Sequence, residues 1–126
     1  MRRLVLAAVV LTALALAPAA GATVRFFHSP SGNIECEMRV TTNAKYAYCQ
    51  TNTPARSARL SRTGHTTICR GGKCVGDAPE GATTLAYGRS ITVGRFRCTS
   101  RRTGMRCVMT LNGHGFRINR SGVATF

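Results

Sequence analysis

The sequence predicts a small all-β domain stapled by disulfides, a sandwich or a partly open barrel with a C-terminal three-stranded meander. Three observations carry this expectation. Short runs alternate apolar and polar residues with a period of two, as in Ile34-Glu35-Cys36-Glu37-Met38-Arg39-Val40. Glycine- and proline-centred turn signals separate such runs at intervals of roughly 8–12 residues. After the N-terminal segment, no window of about 11 residues carries a helical apolar stripe.

That N-terminal segment is expected to be removed. Met1-Arg2-Arg3 is basic, Leu4 to Ala17 is uncharged and largely apolar, Pro18 breaks the run, and Ala20-Gly21-Ala22 has small-x-small form. This order is that of a secretory signal peptide over residues 1–22, cut after Ala22, with Ala19 as the second choice. The apolar run is shorter than the ~20 residues of a bilayer-spanning helix. An uncleaved anchor is the alternative, since no charge falls between Leu4 and Val24. No second apolar run follows, so no transmembrane segment is expected after cleavage. The expected product is a single secreted β domain over 23–126.

The first strand is expected at Thr23 to His28, followed by a turn at Ser29-Pro30-Ser31-Gly32. Setting Cys36 opposite Cys49 places Met38 opposite Ala47 and Glu37 opposite Tyr48, with Thr41 to Ala44 as the turn. The apolar residues then share one face, so this register is self-consistent. Thr51 to Pro54 reads as loop, and Ala55 to Gly64 as basic and partly extended. Arg70-Gly71-Gly72-Lys73 reads as a two-residue hairpin turn between Thr66–Cys69 and Cys74-Val75, because glycine tolerates φ > 0 at both central positions. Cys69 and Cys74 would then be a non-hydrogen-bonded pair with Cα atoms ~4.5 Å apart, within disulfide range. Gly76 to Thr83 reads as a surface loop, and Leu85 to Tyr87 and Ile91 to Val93 as short strands around Gly88.

The meander is expected at about 93–99, 105–111 and 115–120. Pairing Cys98 with Cys107 sets Phe96 opposite Met109. Asn112-Gly113, a strong hairpin signal, then pairs Met109 with Phe116 and Cys107 with Ile118. Phe96, Cys98, Cys107, Met109, Leu111, Phe116 and Ile118 share one face, while Val108 falls among polar residues. Val123 to Phe126 adds a last edge strand.

The six cysteines, Cys36, Cys49, Cys69, Cys74, Cys98 and Cys107, are even in number and follow the export signal. Disulfides are the expectation for such a chain. The three registers favour sequential bonds, 36–49, 69–74 and 98–107. Zinc is the rival, but no second close pair accompanies Cys69-x4-Cys74, and His28, His65 and His114 stand at no ligand spacing. No metal and no cofactor is expected.

The chain has 126 residues, 18 Lys+Arg against 4 Asp+Glu, and a formal net charge of +14. The length excludes a multidomain enzyme, and the 44% apolar share excludes a disordered basic tail. Signal cleavage takes two arginines and lowers the charge to +12. Catalysis finds little purchase. Glu35 and Glu37 share one strand face near Arg39, as solvent-facing residues commonly do, and no Gly-x-Ser-x-Gly elbow or phosphate-cradling glycine loop is present. No catalytic residue is assigned. The basic surface is more informative. The meander register places Arg95, Arg97, Arg106 and Arg117 on the face opposite Phe96, with Arg101 and Arg102 crowning a turn. Guanidinium makes bidentate contacts to phosphate, sulfate and carboxylate, so an anionic polymer or envelope surface is the expected partner. The competing explanation is that arginine usage is compositional and serves solubility. Sequence-specific nucleic-acid recognition is not supported, because stacking needs aromatics among the charges and Tyr46 and Tyr48 belong to another hairpin.

Several segments together resemble one family: Phe27-His28-Ser29-Pro30-Ser31-Gly32-Asn33-Ile34-Glu35-Cys36, Leu85-Ala86-Tyr87-Gly88, Gly94-Arg95-Phe96-Arg97-Cys98, Arg106-Cys107, and Gly113-His114-Gly115-Phe116 with Asn119-Arg120. It is a domain-of-unknown-function family of small exported, cysteine-rich actinobacterial proteins. The resemblance implies a secreted, disulfide-paired, β-rich domain of bacterial source and no established activity. Two departures stand out: only Thr53-Pro54 remains of the family's Trp-Pro element, and Cys69 and Cys74 are closer than its usual middle pair. The expected function is that of an exported non-enzymatic domain binding anionic envelope or extracellular polymers. The alternatives are a small ribonuclease-like hydrolase using Glu35 or Glu37 with a histidine, and a protease inhibitor or protein-binding module presenting loop 51–64 or 76–84.

Overall fold

The computed structural model describes residues 21–126, so the expected signal peptide lies almost wholly outside the described residues. The first strand begins at Thr23, directly after the expected cleavage site. Among the described residues eleven strands make two sheets that pack face to face without closing into a barrel. The first sheet holds β1 (Thr23–His28), β2 (Ile34–Val40), β3 (Lys45–Thr51), β4 (Arg56–Ser61), β5 (Thr66–Arg70) and β6 (Thr83–Thr84), in the order β5-β4-β3-β2-β1-β6. The second holds β7 (Ser90–Val93), β8 (Phe96–Arg101), β9 (Gly104–Met109), β10 (Gly115–Asn119) and β11 (Gly122–Thr125), in the order β11-β10-β9-β8-β7. Neighbours pair antiparallel except β1 with β6, which run parallel. Among the described residues no helix is long and apolar enough to cross a membrane.

The inward faces follow from the period-two alternation. Phe27, Met38, Ala47 and Leu60 of the first sheet meet Phe96, Met105, Met109, Phe116 and Ile118 of the second in one contiguous core. Cys36 lies opposite Cys49, with Met38 opposite Ala47 and Glu37 opposite Tyr48, and Cys98 lies opposite Cys107. Both pairs are disulfides with Cα atoms 4.1 Å apart. They stack at the centre of the core, where Cys49 Sγ lies 3.6 Å from Cys107 Sγ.

Three expectations are corrected. The Gly71-Gly72 hairpin is absent: β5 ends at Arg70, and Gly72–Cys74 is a single 3-10 turn. Cys69 pairs with Ser57 of β4, and its disulfide to Cys74 spans a Cα separation of 5.5 Å. Gly71 N–H to Ala55 O, at 2.9 Å, is the last rung to β4, and beyond it the Tyr48 and Gln50 side chains capture the segment after Cys74. Second, β10 is shifted by two residues, with Phe116 opposite Cys107 and Ile118 opposite Met105. The cause is a longer turn, closed by Met109 N–H to His114 O and Gly113 N–H to Met109 O, both at 2.8 Å. An even shift leaves every side chain on its expected face, but Leu111 now lies in that turn and is 67% exposed rather than in the core. Third, the strand over 85–87 is replaced by the short parallel strand β6, with Leu85 N–H donating to His28 O at 2.9 Å. The expected meander is present as β8, β9 and β10, flanked by β7 and β11 in one five-stranded sheet.

The β9–β10 contact depends on Gly115. A Cβ at this position would collide with the Cys107 carbonyl oxygen and lie 2.9 Å from Val108 Cα. Backbone cannot swing aside as a side chain can. Gly115→Ala is therefore expected to cost about 3 kcal/mol, the upper end of overpacking. Gly113→Ala, at φ 75° with open space around it, is expected to cost only about 1 kcal/mol. Denaturant midpoints compare the two, and equal midpoints would refute the steric account.

Candidate functional site

The outer face of the second sheet is set by alternation against the core. Across it run two rows of paired residues, Thr92-Arg97-Val108-Gly115 and Ser90-Thr99-Arg106-Arg117-Ala124. Arg97, Arg106 and Arg117 all project outward and are exposed. Arg106 and Arg117 are directly opposed, an arrangement of like charges that is unfavourable without an anion between or beside them. No Asp or Glu follows Glu80 in the sequence, so no carboxylate side chain belongs to this sheet. The one ion pair among the described residues, Arg39 to Glu37 at 2.7 Å, lies on the other sheet.

An aromatic ring joins this face. Phe126 exchanges backbone hydrogen bonds with Gly115, at 3.0 and 3.1 Å. Its ring lies 4.3 Å from the Arg106 guanidinium and is 43% exposed. The sequence reading placed Phe126 on an edge strand without seeing this role.

The six sequence-predicted arginines do not form one patch. Arg97, Arg106 and Arg117 come together on the sheet face. Arg101 and Arg102 sit at the β8–β9 turn, where Arg120 of the β10–β11 turn joins them around an open basin. Arg95 lies at the other end of β8, beside Lys45 and Arg62. The reason is length: a strand from Phe96 to Arg101 spans about 17 Å, at about 3.4 Å per residue.

The outer face of the first sheet has a different chemistry. Glu35 and Glu37 project from β2 into a cleft of about 180 Å³, shared with Phe26, Tyr48 and Asp77. Both carboxylates are engaged. Glu37 accepts from Arg39 Nε at 2.7 Å and from the Tyr46 hydroxyl at 2.8 Å, and Glu35 accepts from Gln50 Nε2 at 2.9 Å. The segment after Cys74 forms the cleft's outer wall. It is held by the buried Gln50, whose Nε2 donates to Gly76 O at 2.6 Å and whose Oε1 accepts from Gly76 N–H at 3.0 Å. The Tyr48 hydroxyl donates to Cys74 O at 2.9 Å. The Cys69–Cys74 bond thus lays loop 74–80 across the sheet, and two side chains pin it there. Of the histidines, His28 is β1's partner to Glu35, and its ring nitrogens lie 2.9 Å from Ser29 O and 3.3 Å from Thr84 Oγ1. The sulfurs of Cys49, Cys98 and Cys107 converge in the core, each held in a disulfide.

Burial raises the Tyr46 and Tyr48 phenols above the usual tyrosine range, reinforced for Tyr46 by its bond to Glu37 and for Tyr48 by the charge of Glu37 and Glu35. A phenol that holds its proton more tightly in the folded state contributes stability below the unfolded value of about 10. That contribution is lost as pH rises through the folded value. The melting temperature is therefore expected to fall from about pH 10 upward. The fall should be shallower in Tyr46→Phe/Tyr48→Phe, and identical alkaline profiles would contradict this.

These features define a class: a small disulfide-bonded β sandwich with a mixed-charge outer face on one sheet and a wholly basic one on the other. Within that class, the chain belongs to a family of unknown function (DUF6636), whose model matches residues 57–126. The match covers more than half of the chain, including the arginine-bearing sheet, and leaves out the 27–36 segment. No curated protein and no solved structure matches the chain.

Proposed function

We propose that the chain is an exported, non-enzymatic domain that binds anionic polymers of the cell envelope or its surroundings through the outer face of the second sheet. One observation carries this reading. Arg97, Arg106 and Arg117 occupy adjacent outward positions on a sheet without a carboxylate side chain. A flat cluster of guanidiniums, Arg106 opposite Arg117 with Arg97 in the adjacent row, matches repeating phosphate or sulfate groups rather than a single small anion. Three disulfides suit an oxidising compartment. The test is retention on immobilised linear polyphosphate. It should fall steeply between low and high salt, as counterion release requires. Unchanged retention across that range sinks the reading.

A hydrolase centred on Glu35 and Glu37 draws on one observation, the cleft they share with Asp77. Any ribonuclease activity of the chain that survives Glu35→Ala/Glu37→Ala rejects that assignment. The bonds that Glu37 makes to Arg39 and Tyr46 favour the binding reading, because they commit that carboxylate to the scaffold.

A further inference from the structure

We propose that the basin at the β8–β9 end of the sandwich is a pocket for a phosphorylated polyol, a phosphate group on a hydroxyl-bearing carbon chain or ring. This rests on the anion-binding reading above and names the unit that would be recognised. The basin has a volume of about 340 Å³, and segments remote in sequence wall it: the 29–34 turn, Tyr87, and the turns that carry Arg101, Arg102 and Arg120. No carboxylate side chain lines it, and none of its three guanidiniums enters an ion pair among the described residues.

The frame beneath these arginines is fixed. Asn119 Nδ2 donates to Thr103 O at 2.8 Å, tying the two arginine-bearing turns together. Asn119 Oδ1 accepts from Ser121 N–H at 2.9 Å and Gly122 N–H at 3.2 Å. Gly104 has φ 132°, and a Cβ there would collide with the Ile118 carbonyl, so glycine alone lets the strands approach at this corner. On the opposite wall, Ser29 Oγ accepts from Ile34 N–H at 3.2 Å and lies 3.0 Å from Ser31 Oγ. The Arg102 guanidinium lies 4.9 Å from the centroid of the Tyr87 ring, which orients it. Groups mounted on bases already fixed need little further ordering to bind.

The chemistry selects the ligand. A planar carboxylate is satisfied by one guanidinium fork, whereas a tetrahedral phosphate offers acceptor oxygens toward donors arriving from two turns. Ser31 on that opposite wall and Thr103 and Ser121 beside the arginines bring hydroxyls to the basin. Each can both donate and accept, which complements the hydroxyls of a polyol.

The experiment titrates glycerol phosphate into the folded, disulfide-intact chain, by calorimetry and by amide chemical shifts. The expected result is saturable binding that moves resonances of Ser31, Arg102 and Arg120 and is tighter than that of inorganic phosphate. It should weaken at least about tenfold in Arg101→Gln/Arg102→Gln/Arg120→Gln, the worth of one charge-assisted hydrogen bond. It should persist in Arg97→Gln/Arg106→Gln/Arg117→Gln. No binding, shifts confined to the sheet face, or equal affinity for inorganic phosphate overturns the proposal; the wild-type shift map decides this even if a variant misfolds. Polyphosphate retention is measured in parallel. If the polymer is retained and glycerol phosphate does not bind, this inference fails alone; if neither binds, the anion-binding reading fails with it.

Discussion

Replacing Arg97, Arg106 and Arg117 together by glutamine is expected to weaken polyphosphate binding by roughly a thousandfold in low salt, at about 1.5 kcal/mol for each lost charge-assisted hydrogen bond. The three side chains are exposed and stand on a completed sheet. Their removal takes no apolar contact from the core, so the fold should survive. Relief of the Arg106–Arg117 opposition offsets the lost Arg106–Phe126 contact. The more telling readout is the salt slope. It should fall by about two units, at roughly 0.7 per phosphate contact on a flexible strand. A variant that binds weakly but keeps the wild-type slope would place the contacts elsewhere. Arg95→Gln is the natural control, because Arg95 lies at the far end of β8 beside Lys45 and Arg62. It should leave the slope nearly unchanged.

The second large effect concerns the order in which the disulfides yield to a reductant. Cys49, Cys98 and Cys107 are fully buried and Cys36 nearly so. Cys69 and Cys74 are half-buried at the rim of the first sheet. Exchange requires a thiolate to reach a sulfur. Under native conditions Cys69–Cys74 should therefore reduce first and alone, without loss of the sheet signal in circular dichroism. Cys36–Cys49 and Cys98–Cys107 should reduce only when the domain opens globally. Once cut, they should not permit stable refolding, since each is worth about 2–5 kcal/mol and small domains hold only about 5–15 in all. Mass spectrometry after timed alkylation reads the sequence of events. Simultaneous loss of all three bonds would show that the core opens as readily as the rim. Selective loss of Cys69–Cys74 should raise hydrogen exchange at Gly76, because Gln50 and Tyr48 would then hold loop 74–80 unaided.

What the sequence showed well was anything governed by parity. Ile34 to Val40 alternates strictly, and a cysteine pair fixes which residue faces which, so the β2–β3 register was legible in full. Phe96, Met109, Phe116 and Ile118 were placed in the core correctly even though the β10 register was off by two, because an even error preserves the face. Turn length was illegible. Asn112-Gly113 signals a turn without saying that it closes through Met109 and His114. At Gly71-Gly72, local chemistry favoured a hairpin. The alternative was decided by Gln50 and Tyr48, more than 20 residues away, whose side chains capture the segment after Cys74. Side-chain capture across such distances leaves no periodic trace in the sequence. The arginines illustrate the same limit. Alternation showed correctly that Arg97, Arg106 and Arg117 face outward, but the distance from Arg95 to Arg101 is a matter of strand length. The basin needed Arg120, Tyr87 and the 29–34 turn, which only tertiary structure brings to Arg101 and Arg102.

Glu35 and Glu37 stand on the outer face of the first sheet, and Asp77 lies in the loop that crosses it, while the second sheet presents arginine alone. The two outer faces are separated by the thickness of a sandwich whose sheets pack about 10 Å apart. The molecule therefore carries a permanent electric dipole running through the sandwich, from one sheet to the other. Within a Debye length of an anionic surface, about 8 Å at physiological ionic strength, that dipole feels a torque that turns the second sheet forward before any contact forms. Under the binding proposed above, landing on such a surface would be oriented rather than random. Each adsorbed molecule would point its Asp77 loop back toward the medium, and a basic protein would coat an acidic surface with an outer layer that again bears carboxylates.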